Sequence, residues 1–182
     1  MAAPTIAEFT ASFPQLARDL GEQNVQAVLR HSSKLELPPG RRIIRDRGPV
    51  DSIYFLLDGK VSVLVEEGGQ SINVGSASAG EMLGEVSVLS GELLASSTVT
   101  SSTPVRLMRL KHQAFEDVIN SNGEIAAALL KHLVEMLASR LRSSQSVAAA
   151  PVRIEAAVPE EAAAAAAPKQ GRNWLNAFFG KE

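Results

Sequence analysis

Cysteine is absent from this chain of 182 residues. That excludes disulfides and thiolate metal sites, and it is compatible with a reducing compartment. Charge of one sign is also missing. The net charge is −2, so no global basic excess points to nucleic acid. Long apolar runs are absent too, and nothing approaches the roughly 20 residues that a membrane helix needs. Residues 1–10 show neither a basic n-region nor an apolar h-region, so no secretory signal is expected and the cytoplasm is the expected location. What is present is ordinary for a folded domain: 45% of the residues are hydrophobic, enough for a core. The length fits one domain with appendages.

The pattern divides the chain into zones. Residues 1–30 read as helical, with Thr5 as a cap before Ile6, Phe9 and Phe13, and with Pro14 as an interruption. Val25, Val28 and Leu29 follow at helical spacing. These helices are expected to cover one end of a barrel. From residue 32 the period shortens. Leu35 and Leu37 alternate with polar neighbours, Arg41 to Ile44 follow, and Ile53 to Leu57 form an apolar run closed by Asp58-Gly59. Asp-Gly between apolar runs signals a hairpin, because both positions tolerate positive φ. Val61, Val63 and Val65 alternate next, Glu67-Gly68-Gly69 turns the chain, and Ile72 and Val74 follow. Two more strands are expected at 97–100 and 105–110. Short strands so spaced suggest a closed or nearly closed antiparallel barrel.

Helical spacing returns at 111–119, is broken by Ser121-Asn122-Gly123, and resumes over about 124–142. There Ile125, Leu129, Leu130, Leu133, Met136, Leu137 and Leu141 form a stripe wide enough for both the barrel and a second subunit. The domain is thus placed at 31–146. Residues 147–172, rich in Ala, Pro and Glu, lack the large side chains needed to offset ordering entropy and read as a disordered linker. Such a linker reaches roughly 25–30 Å. Residues 173–182 hold the single Trp of the chain. Trp174, Leu175, Phe178 and Phe179 would share one helical face, ended by Gly180.

The punctuation of the barrel resembles the cyclic-nucleotide-binding domain of catabolite-activator-type regulators, kinase regulatory subunits and gated channels. The matching residues are Gly40, Ile44, Gly48, Asp51 to Val61, Gly80 to Glu85, and Ser96 to Val99, over about residues 24–144. The resemblance implies a mainly β fold, an antiparallel β-roll of jelly-roll type with N-terminal helices, a long C-terminal helix and a disordered tail. It also implies a clamp for cyclic AMP or cyclic GMP. Gly84 and Glu85 would form its corner, with the glutamate accepting from the ribose hydroxyl. Val86, Ser87 and Val88 would open a short helix with N–H groups aimed at the cyclic phosphate. Ser96 and Ser97 would donate to that phosphate. Ser143 and Ser144 fall where some members hold the base. The long helix, ending Ser139-Arg140-Leu141-Arg142, is similar to the family's dimerisation helix and implies a homodimer.

One expected residue is missing. The family's phosphate arginine aligns with Ala95, and loss of a charged hydrogen bond weakens binding roughly 10–100-fold. Arg41, Arg42, Arg45 and Arg47 form a cluster that offers a cation from elsewhere, or else a solvated turn. Two readings follow. In one, the module still senses a cyclic nucleotide, weakly or with a rearranged cation. In the other, the pocket is degenerate, Glu85 merely caps its helix, and the protein is a dimeric adaptor. No catalytic constellation is visible, so no enzyme is expected. His31, His112 and His132 show no metal-ligand spacing, and His132 reads as an interface or surface residue. No helix-turn-helix follows the long helix, which argues against DNA as a partner. The motif of Trp174, Leu175, Phe178 and Phe179 suits docking to a partner protein. Its sparse basic flanks, Arg172 and Lys181, argue against a membrane surface.

Overall fold

The computed structural model describes residues 4–68 and 70–148, with side-chain surroundings through Arg142. The terminal motif of Trp174, Leu175, Phe178 and Phe179, the linker from residue 149 onward, and the side chains of Ser143 and Ser144 lie outside the described residues.

Three helices open the chain: α1 (Ile6–Ser12), α2 (Pro14–Leu20) and α3 (Glu22–Arg30). Thr5 caps α1 as expected, in a reciprocal box. Its hydroxyl accepts from the Glu8 amide at 3.2 Å, and the Glu8 carboxylate accepts from the Thr5 amide at 2.9 Å. Pro14 does more than interrupt. It is the first residue of α2, where its missing N–H costs nothing.

Eight strands follow: β1 (Ser32–Leu37), β2 (Arg42–Ile44), β3 (Ser52–Asp58), β4 (Lys60–Glu67), β5 (Gln70–Ser78), β6 (Met82–Leu83), β7 (Thr98–Ser101) and β8 (Val105–Lys111). A short helix, α4 (Glu85–Ser90), lies between β6 and β7. The strands form two antiparallel sheets, ordered β1-β8-β3-β6 and β2-β7-β4-β5. This is the antiparallel β-roll expected from the sequence. The β6 strand has two residues, too few to carry a period.

The Asp58-Gly59 hairpin is not formed. One edge of β3 pairs with β8 and the other with β6. With both edges taken, β4 crosses to the second sheet and pairs with β5 and β7. Asp58-Gly59 is therefore a corner between sheets. Its tightness is what the sequence signalled: Gly59 has φ 89°, and a Cβ there would collide with the Pro104 carbonyl oxygen. The true hairpin is the next one, where Glu67 pairs with Gln70 across the glycine turn.

Alternation along β3 and β8 builds two cores. Ile53, Phe55 and Leu57 of β3 and Met108 and Leu110 of β8 join Phe9, Phe13 and Leu16 of the N-terminal helices. Leu56, Val105 and Leu107 face the second sheet instead, with Val61, Ala77 and Val99. The first sheet is thus a shared wall, buried on both sides.

Two helices close the described chain, α5 (His112–Ser121) and α6 (Gly123–Ala148). The Asn122 side chain between them accepts from the Glu124 amide at 2.9 Å, so the expected break is also a cap. Ile125, Ala128, Leu129, Leu133 and Met136 of α6 are buried against the first core. Leu130, Val134, Leu137 and Leu141 are exposed. The wide stripe is therefore two stripes, one used within the domain and one open. α6 also takes in the first two residues assigned to the linker.

Candidate functional site

The site begins where β6 ends. Gly84 takes the left-handed conformation, φ 78°, and is the N-cap of α4. A Cβ there would lie 2.8 Å from the Ser52 carbonyl oxygen, which only glycine avoids. The turn places Glu85 at the first position of α4, 2% exposed.

Its partner comes from α6, not from the strand that follows α4. Arg140 Nη1 donates to Glu85 Oε1 at 2.7 Å, and Nη2 donates to the Met82 carbonyl at 2.7 Å. Arg140 Nε reaches Glu81 Oε1 at 3.4 Å. Glu81 is itself held by the Ser78 amide, which donates to Oε2 at 2.7 Å. One guanidinium thus ties two carboxylates and a carbonyl to the long helix. The Met82 amide, 3.3 Å from Met136 Sδ, adds a contact one turn earlier. Burial pushes the Glu85 carboxyl above the usual carboxylate range, opposed by the Arg140 charge and reinforced by Glu81.

Glu85 and Arg140 line a small cavity of about 130 Å³. Most residues implied by the resemblance line it: Gly84, Glu85, Val86 and Ser87 on one side, Ser96 and Ser97 on the other, with Ala95 before them in the chain; Val88 does not. Ala95 is buried and its backbone is fully used. Its N–H donates to the Gly48 carbonyl at 2.9 Å, and its carbonyl accepts from the Arg47 amide at 2.9 Å. The apolar methyl group stands where the resemblance implied a cation.

Among the described residues, the cation that lines this cavity is Arg140. It was legible in principle: it lies four residues after Met136 and seven after Leu133, on the same inward face of α6. A search confined to the residues just after Glu85 passes it by. The cluster offered as an alternative supplies nothing here, because Arg42, Arg45 and Arg47 line a different cavity. Glu85 does not act as a side-chain cap, since α4 has no side-chain cap bond.

The histidines form no centre. No metal-binding group exists among the described residues. His132 is not the interface or surface residue expected. It is half-buried, edge-on to Phe13 with ring centroids 5.7 Å apart, and its Nε2 is buried without a partner. Burial pushes its pKa below the ordinary value.

Fold and pocket together define a β-roll that closes a small cavity of mixed polar and apolar lining beside the glycine corner that caps α4. Residues 34–122 match the family described as cyclic nucleotide-binding domain. The chain is similar over 126 residues to glutaminase 2 of Bradyrhizobium diazoefficiens, at 29% identity, covering 69% of this chain and 19% of the glutaminase. It is similar over 124 residues to the cAMP-activated global transcriptional regulator of Pasteurella multocida, at 26% identity, covering 68% of this chain and 57% of the regulator. The chain thus spans between 19% and 57% of the length of these curated relatives. Among solved structures, a cyclic nucleotide-binding domain from Methylobacillus flagellatus superposes with a TM-score of 0.68 at 17% identity, covering 77% of this chain and 82% of that one. The fold is shared with it. Among the described residues no helix is long and apolar enough to cross a membrane.

Proposed function

We propose that this chain is a non-enzymatic sensor whose pocket takes cyclic AMP or cyclic GMP with Arg140, the one cation that lines it among the described residues, as its cationic partner. The observation that carries the reading is the Arg140–Glu85 pair, 2.7 Å apart inside the cavity lined by Ser96 and Ser97. Glu85 accepts from the ribose, Ser96 and Ser97 donate to the cyclic phosphate, and Arg140 turns from the carboxylates toward the ligand. The cavity, about 130 Å³ with Arg140 on its wall, is smaller than a nucleotide, so entry requires that turn. Binding is therefore weak, and it is felt along α6. The exposed residues Leu130, Val134, Leu137 and Leu141 recur at spacings of four, three and four, the seam of a two-helix interface. They support a homodimer, which Val134→Glu should convert to monomer in sedimentation. Calorimetry tests the sensor itself. Heat with either cyclic nucleotide, abolished by Glu85→Ala, is the expected result, and no heat at millimolar ligand from folded protein overturns it.

One observation favours a second reading: Glu85 and Glu81 are already satisfied by Arg140 without any ligand. A nucleotide-free dimeric adaptor would look the same, with Trp174, Leu175, Phe178 and Phe179 docking a partner protein. Deleting residues 172–182 should then release a co-purifying protein, and unchanged pull-downs reject tail docking.

A further inference from the structure

Four arginines fall within seven residues: Arg41 just before β2, Arg42 at its first position, and Arg45 and Arg47 in the turn that follows it. All four are exposed. No ion pair involves any of them among the described residues. Arg42, Arg45 and Arg47 line an open cavity of about 820 Å³, with Tyr54 and Thr98 also on its walls. Asp46 and Glu66 line it too, and the three arginines outnumber them. The volume lies in the range of small-molecule sites, roughly 300–1,000 Å³.

The backbone is held in an unusual state to present this wall. Arg47 has φ 56°, a left-handed value for a residue that is not glycine. It is kept there by the hydrogen bond its N–H donates to the Ala95 carbonyl, while the Gly48 amide donates to the Arg45 carbonyl at 2.9 Å. A glycine at position 47 would carry no such strain. Backbone strain of this kind collects where a side chain is held for binding.

We infer that this turn is a second anion site, distinct from the Glu85 cavity, that takes a compact soluble polyphosphate. Guanidinium groups pair with phosphate oxygens two at a time. Three of them spread along one turn match adjacent phosphates better than a single one. Occupancy would bear directly on the neighbouring cavity, because the Arg47 and Gly48 backbone is bonded on both sides of Ala95.

Inorganic tripolyphosphate and orthophosphate, titrated calorimetrically into the full chain, test this. Saturable binding of tripolyphosphate is expected, about tenfold tighter than orthophosphate and weakened by added salt. The combined variant Arg42→Gln, Arg45→Gln, Arg47→Gly, in which glycine keeps the left-handed turn, should lose at least about tenfold. Arg45→Gln alone, checked for folding by circular dichroism, should lose roughly threefold or more. No saturable heat at millimolar tripolyphosphate overturns the site. So does unchanged affinity in a folded variant, displacement by cyclic AMP, or a preference for duplex DNA over tripolyphosphate.

Discussion

Arg140 answers a question that a linear reading poses wrongly. Ala95 announces a missing cation, and the eye looks for a replacement nearby in sequence. In the proposed sensor the replacement comes 45 residues later, by the geometry of a helix rather than by a motif, because Arg140 pairs with Glu85. Arg140→Ala leaves Glu85 buried and unpaired. Breaking a buried pair costs about 3–5 kcal/mol, and the partial exposure of Arg140 brings the expectation down to about 2 kcal/mol. The same change should raise the Glu85 pKa further, because the arginine is what opposes burial. Carboxyl NMR titration reads this, and an unmoved Glu85 would show that the pair carries no electrostatic weight. Glu8 behaves in the opposite sense. The hydrogen bond from Lys34 holds its carboxyl down at about 2, helped by the Thr5 amide. A depressed carboxylate stabilises the fold above its ordinary value near 4.5, and that contribution drains away as pH falls from there through about 2. Glu8→Gln should flatten the acid limb of the thermal-stability profile in that window. An unchanged acid limb would move the acid sensitivity elsewhere.

At the scale of elements, most boundaries were legible and one pairing was not. The cap at Thr5, the strands from β3 to β5 and the Asn122 break all follow from local chemistry. Asp58-Gly59 encodes a tight turn with equal clarity, but turn chemistry does not say which edges are free. Pairing is decided by β8 and β6, which come later in the chain and occupy both sides of β3. Gly59→Ala should therefore cost about 2 kcal/mol or more in denaturant unfolding, from positive φ plus collision with the Pro104 carbonyl. Gly68→Ala also has positive φ but open space, and should cost about 1 kcal/mol. Equal costs would mean that the corner is looser than its geometry indicates.

For the whole molecule, the sequence conveyed the class of fold, and it listed the pocket's glycine, glutamate and serines. It could not convey that β3 and β8 carry two cores at once, since an apolar run looks the same whether one face or both are covered. That shared wall predicts a single unfolding transition. Calorimetric and van't Hoff enthalpies should agree, and two resolved transitions would show that the helical layer separates from the sheets. The residues of α6 suggest something more mechanical. Leu129, Leu133, Met136 and Arg140 face the domain, and Leu130, Val134, Leu137 and Leu141 form the same sequence of steps displaced by one residue. The helix is cut like a key on two adjacent flanks, about 100° apart. No ligand can turn one flank in its lock without moving the other by the same angle, so whatever grips the outer flank is geared to the pocket.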